Sequence, residues 1–177
     1  PNECTVGTEL LHSQPDIKTV IDYNNLEQAY IYGIFVGDGS CGCYNYEYGN
    51  KYSWAINNKD INLLEKCKNI LEKLEGIPFK ILNTIESSNV YKLCPSKGGY
   101  YSIKRLVSKY RNKCYIGKNK VVPQEILNND KENILESFRK GLFDSDGNRK
   151  ENSSKGCLRI DTKNQLTAQT YVILLQR

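Results

Sequence analysis

From Asn25 to Asp38 the segment NLEQAYIYGIFVGD carries apolar residues at helical spacing, and the spacing predicts a helix there. Tyr44, Tyr46 and Tyr48 then alternate with other residues, as do Tyr52, Trp54 and Ile56. That pattern reads as a hairpin turning at Gly49-Asn50. Apolar positions 61, 64, 67, 70, 71 and 74 predict an amphipathic helix, capped by Asn58 or Asp60 and ended by Gly76. PFKILNTIE and SNVYKLC read as strands joined at Ser87-Ser88, SIKRLVSKY as a basic amphipathic helix, CYIGKNKVVP as a loop and QEIL as a short turn. A second long helix is predicted from Asp130 to about Asp144, ending FRKGLFDSDG. Beyond it, NRKENSSKGCLRIDT suggests a hairpin and NQLTAQTYVILLQR a helix. The order is helix, two strands, helix, two strands, helix, and then it restarts. Residues 1–24 are polar and weakly periodic, a lead-in or arm.

The restart contains a repeat. Set IYGIFVGDG (31–39) over RKGLFDSDG (139–147), and Gly33/Gly141, Phe35/Phe143, Asp38/Asp146 and Gly39/Gly147 coincide at a period of 108 residues. That period is too long for a solenoid and suits a duplicated α/β half-domain. Each copy spaces small residues four apart, Gly33 with Gly37 and Gly141 with Ser145. Glycine inside a helix costs about 1 kcal/mol against alanine, so the pairs need a purpose. Small residues at this spacing let two helix backbones approach closely. Packed in parallel, the helices would end side by side with Asp38 and Asp146 adjacent. Two carboxylates at two negative helix ends repel, and a divalent cation with oxygen ligands, magnesium or manganese, relieves the repulsion.

Charge changes the picture further. The chain of 177 residues carries a net charge of +5, and Ser87 to Gln124 holds nine basic residues and no acidic one. One-sided charge of that length points to a polyanion, nucleic acid first. No apolar run approaches the roughly 20 residues of a membrane span, and no signal peptide opens the chain. Seven cysteines without a C-x-x-C pair, and a single histidine, argue against zinc and for reduced thiols inside a cell, in cytoplasm or nucleus. Methionine is absent and the first residue is Pro1, so the sequence reads as cut from something longer.

With the two copies and the segment KNKVVPQEIL in view, the chain resembles the LAGLIDADG homing endonucleases, of the dodecapeptide type found within inteins. IYGIFVGDG and RKGLFDSDG stand where that family's signature stands, and Lys120-Val121-Val122-Pro123 matches its K-x-x-P segment. The resemblance covers about residues 25–177. It implies an α+β fold with an αββαββα half-domain (25–129) repeated about a pseudo-two-fold, the second half (130–177) incomplete. A full-length protein would be a pseudo-symmetric monomer on double-stranded DNA. Residue by residue, it implies that Asp38 and Asp146 bind metal and activate water, and that Lys120 assists at the phosphate. The family's sheets lie over DNA, so strand parity implies Lys51, Ser53, Lys80 and Lys92 as contacts, with Lys97 beside them.

Simpler readings compete. D-S-D-G-N at 144–148 opens like a calcium loop, but Arg149 and Lys155 occupy the places that need glycine and glutamate. One Asp-Gly would be an ordinary helix-ending turn; two with matched small residues are not. The tyrosine stripe 44, 46, 48 is expected in core or sheet packing rather than base stacking. Against an endonuclease stands a cleavage-inactive DNA-binding module, or a maturase-like RNA-splicing cofactor of the same fold. Protein self-splicing lacks its chemistry here, with no nucleophile at position 1 and no terminal His-Asn.

Overall fold

A computed structural model of the chain describes residues 20–47, 49–96, 99–149 and 158–176. Helix α1 (Leu26–Asp38) starts at Asn25, whose side chain accepts from the Gln28 amide, a standard N-cap. Strands β1 (Gly39–Tyr46) and β2 (Gly49–Asn58) form the hairpin, and β2 leads to α2 (Ile61–Glu75). Asp60 caps α2 through the Asn62 and Leu63 amides, and Gly76 ends it in the left-handed region at φ 66°. Strand β3 (Phe79–Thr84), the one-turn α3 (Ile85–Ser88), β4 (Val90–Pro95) and α4 (Tyr100–Cys114) complete a first αββαββα unit. A small hairpin of β5 (Tyr115–Ile116) and β6 (Asn119–Lys120), then α5 (Gln124–Leu127), lead to α6 (Glu132–Asp146). The restart runs α6, β7 (Asn148–Arg149), β8 (Leu158–Arg159) and α7 (Gln165–Leu175).

Strands β1 to β4 make one antiparallel sheet in the order β1-β2-β4-β3. Its inner face carries Trp54, Ile56, Leu93 and Phe79, all buried against α1, α2 and α4. Phe35 of α1 stacks on Trp54 at 5.4 Å between ring centres and meets Tyr110 of α4 at 4.6 Å. Burial of such aromatics is worth a few kcal/mol each and fixes which way the sheet faces.

Three expectations change. Tyr46 pairs with Gly49, so the hairpin turns between them and Gly49-Asn50 belongs to β2. The tyrosine stripe does not pack inward: Tyr44 and Tyr46 are 55% and 60% exposed, because Gly39 and Cys41, of the opposite parity, pair with Ile56 and Trp54 on the inner face. Tyr48 lies outside the described residues. The CYIGKNKVVP loop contains the β5–β6 hairpin, whose connection uses Gly117 at φ 59°.

The basic stretch also divides. Lys109 pairs with Glu75 (2.6 Å) and donates to Gln28 Oε1 (2.5 Å), while Lys113 pairs with Glu125 (2.9 Å). Arg105 donates to the Glu75 carbonyl, and Arg111 donates to the Gly117 carbonyl while lying over the Tyr115 ring. The acids that answer Lys109 and Lys113, Glu75 and Glu125, lie outside the counted stretch on either side, so a count of sign within it could not see them. Glu75 is 9% exposed and Gln28 5%. Lys109→Ala should therefore cost about 2 kcal/mol in a urea titration, by leaving the Glu75 carboxylate buried without its cation.

Candidate active site at the paired helix ends

Helices α1 and α6 run in parallel and touch through their glycines. A Cβ on Gly33 would overlap the Phe138 carbonyl and lie 2.7 Å from the Leu142 amide nitrogen. A Cβ on Gly141 would overlap the Tyr30 carbonyl and lie 3.0 Å from the Ile34 nitrogen. The contacts are reciprocal: Phe138 and Leu142 sit 108 positions after Tyr30 and Ile34, the repeat period itself. Reciprocity at that period is the local signature of a pseudo-two-fold axis between the helices. One turn further on, Gly37 faces Ser145, whose hydroxyl donates back to the Gly141 and Leu142 carbonyls.

Both helices end the same way. The Gly39 amide donates to the Phe35 carbonyl and the Gly147 amide to the Phe143 carbonyl at 3.1 Å. In each case a Cβ would come within 2.5 Å of the carbonyl oxygen that the glycine approaches. The last helical residues, Asp38 and Asp146, therefore leave side by side from two negative helix termini with no basic residue in either last turn.

The electrostatics follow from that placement. Burial pushes the Asp38 carboxyl up to about 6, partly opposed by a hydrogen bond from Asn58 Nδ2; the Asp146 charge pushes it further and Lys120 opposes. Burial also raises Asp146, which is the more exposed of the two; Lys120 lowers it and Asp161 raises it. Lys120 is buried enough to be lowered from its ordinary value, while both aspartates act to hold its proton on. Its ammonium donates to the Gly37 carbonyl at 2.8 Å, near enough to both aspartates to feel their charge. A cleft of about 270 Å³ opens beside them, lined by Lys118, Lys120, Asp146, Asp161, Asn164 and Thr167 among others.

The donors here that could hold a metal are carboxylate and carbonyl oxygens, a hard set that fits magnesium or manganese rather than zinc. The raised Asp38 carboxyl fits as well, since a cation between the helix ends would stabilise its charged form. Among the described residues no three His, Cys, Asp or Glu converge as a cage, so a cation held here would complete its shell with water or phosphate.

The other residues singled out in the sequence fall as follows. Lys51, Ser53, Lys80 and Lys92 share the outer face of the sheet: the pairings Gly42↔Ser53, Tyr44↔Lys51, Lys80↔Cys94 and Asn57↔Lys92 put them opposite the buried parity. Tyr44 and Tyr46 stand on that face too, with Lys51 6.0 Å from the Tyr46 ring. Lys97 lies outside the described residues. Asp144, where the first copy has Val36, accepts from the Tyr30 hydroxyl at 2.8 Å and so ties α6 to α1. Sequence reasoning missed Asn58 as a partner of Asp38. The Gly39↔Ile56 pairing brings the end of β2 back to the end of α1, and only the true hairpin register places it there. It missed Asp161 and Asn164 as well, because they reach the cleft through the restart, where the strand pattern is weak.

Comparison with known proteins fits this geometry. No family model matches the chain. It is 48% identical over 177 residues to a DNA polymerase of Acanthamoeba polyphaga mimivirus, covering 99% of this chain and 10% of that protein's length. Among solved structures it resembles I-DmoI in complex with DNA and Mn, with a TM-score of 0.52, 21% identity, and coverage of 85% of this chain and 77% of that one. Mesophilic variants from the homing endonuclease I-DmoI give 0.53 at 20% identity, covering 85% and 75%. I-DmoI in complex with DNA and Ca also gives 0.53 at 20%, covering 85% and 70%. The α+β architecture, with its glycine-packed parallel helices and antiparallel sheet, is the LAGLIDADG homing-endonuclease fold.

Proposed function

We propose that this chain is the homing-endonuclease part of an intein in a DNA polymerase, and that it cleaves double-stranded DNA site-specifically with a divalent metal. The observation that carries the reading is the meeting of Asp38 and Asp146 at two parallel helix ends, with the Lys120 ammonium on the Gly37 carbonyl beside them. The high identity to one tenth of a polymerase's length supports an insertion that is separate from polymerase chemistry. No helix among the described residues is long and apolar enough to cross a membrane.

In this reading Asp38 and Asp146 hold the cation, magnesium or manganese, which when bound polarises a phosphate and makes its water a stronger nucleophile at neutral pH. Asn58 orients the Asp38 carboxylate, leaving its second oxygen for the metal. Lys120 stands where a phosphate's negative charge would lie. The outer sheet face, with Lys51, Ser53, Lys80, Lys92 and the two exposed tyrosines, takes the duplex. Side chains there reach base edges in the major groove and so choose the site.

Two results test this. A supercoiled plasmid carrying the polymerase gene without the insertion should be cut at one place by the parent protein with magnesium, and not with EDTA. Binding without cutting would support the cleavage-inactive alternative. Lys120→Ala should slow cutting by about a hundredfold, as expected for one lost electrostatic contact in a sheltered site. DNA affinity should fall much less, which a filter-binding titration checks at the same salt.

A further inference from the structure

Strand β6 and the residues after it lie between two neighbours. On one side Lys120 pairs with Tyr115 and the Val121 amide donates to the Cys114 carbonyl. On the other side, among the described residues, lie the first two turns of α7. Asn164 Nδ2 donates to Asn119 Oδ1 (2.6 Å), Thr167 Oγ1 donates to the Lys120 carbonyl (2.6 Å), and the Val122 amide donates to Thr170 Oγ1 (3.3 Å). Asn164, Thr167 and Thr170 are three apart, so they form one helix face.

These groups are costly to leave unmade. Thr167 is 5% exposed and Thr170 8%. Backbone donors and acceptors buried at this junction would otherwise lack partners, at about 1–3 kcal/mol each. The threonines act as a substitute strand edge. Thr170 also donates its own proton to the Thr167 carbonyl, and Asn164 caps α7 through the Thr167 amide. The face is thus locked in place before it meets β6.

Resting on the reading above, we propose that Thr167 is a positioning residue for Lys120. Its hydroxyl fixes the Lys120 carbonyl, and with it the origin of a side chain that must stretch to the Gly37 carbonyl, within reach of the charge of both aspartates. A lysine on an unfixed backbone would wander over several rotamers, and a displacement of about 1 Å at a reacting centre costs up to a hundredfold in rate.

The test compares Thr167→Val, Thr167→Ser and Thr170→Val, the last stripping a similarly buried hydroxyl from Val122 instead. In Thr167→Val the side-chain ammonium of Lys120, followed by nitrogen-detected NMR on the isotope-labelled 177-residue chain, should lose its protection from solvent exchange. Single-turnover cutting by the parent protein should fall about tenfold to a hundredfold, with duplex affinity within about threefold. Thr167→Ser should restore both. An unchanged ammonium signal in a folded Thr167→Val chain, or an effect no greater than that of Thr170→Val, overturns the proposal. If Thr167→Val does not fold, the wild-type chain decides: a slowly exchanging Thr167 hydroxyl proton close to Lys120 supports the assignment, and a freely exchanging one overturns it. Failure of the endonuclease reading shows separately, as a wild-type parent that does not cut while the NMR result stands.

Discussion

Gly141→Ala should lower stability by about 3 kcal/mol or more, or prevent folding, because the added methyl meets backbone and not a side chain that can turn away. Its nearest neighbours are the Tyr30 carbonyl and the Ile34 amide nitrogen, both inside the facing helix. To make room α1 and α6 must separate along their whole contact, and the layer of Ile31, Ile34, Leu135, Phe138 and Leu142 around it would lose close packing. Gly33→Ala should behave alike for the reciprocal reason. Gly37→Ala should be milder, since its methyl meets the Ser145 side chain, and adding Ser145→Gly should recover much of the loss. Thermal melts of the four variants check the order. A Gly141→Ala chain melting like the wild type would show that the helices are not held at backbone contact.

Much of this arrangement was legible in the sequence, and for reasons that can be named. The α1 and α6 contact was readable because it depends on residues with no side chain, whose cost within a helix demands an explanation. The ends of α2 were readable because Asp60 and Gly76 act locally. What failed depended on register or on distant partners. The tyrosines stand on the open face because they share the parity of Lys51 and Ser53, opposite to Trp54 and Ile56, and alternation alone does not say which parity turns inward. The charges of α4 looked free because Glu75 and Glu125 lie outside the stretch that was counted. Asn58, read as one of two possible caps, does a different job: its amide holds Asp38, while its carbonyl oxygen accepts from the Asp60 amide. The threonine face of α7 gave no signal at all, since Thr167 and Thr170 become meaningful only once β6 lies against them.

Asp38→Asn should have the largest effect on chemistry and an opposite effect on stability. The folded chain holds the Asp38 proton more tightly than the unfolded chain, with the carboxyl pushed up to about 6 from its ordinary 3.8. The stability this proton brings is complete below about pH 4 and is lost as pH rises through 6. An amide has no proton to lose and keeps an oxygen for Asn58. The variant should therefore match the wild type near pH 4 and melt roughly 2–4 °C higher at pH 7, equivalent to about 1 kcal/mol for a half-buried group. Magnesium should reverse the order, raising the wild-type melting temperature and not that of the variant, because the proposed site needs both carboxylates to hold it. Equal melting temperatures at pH 7 without metal would contradict the electrostatic picture of the paired helix ends.

The central claim, that Asp38 and Asp146 together form one metal-dependent cleavage site, is tested most directly by plasmid cutting with three forms of the parent protein: wild type, Asp38→Asn and Asp146→Asn. The substrate is the polymerase gene without its insertion, with magnesium present and each form shown to bind that DNA. Single-site cutting by the wild type, and at least a thousandfold slower cutting by each variant at similar affinity, is the result we predict, on the general scale of lost metal-ion catalysis at about 4 kcal/mol. Wild-type rates from Asp38→Asn would contradict the account.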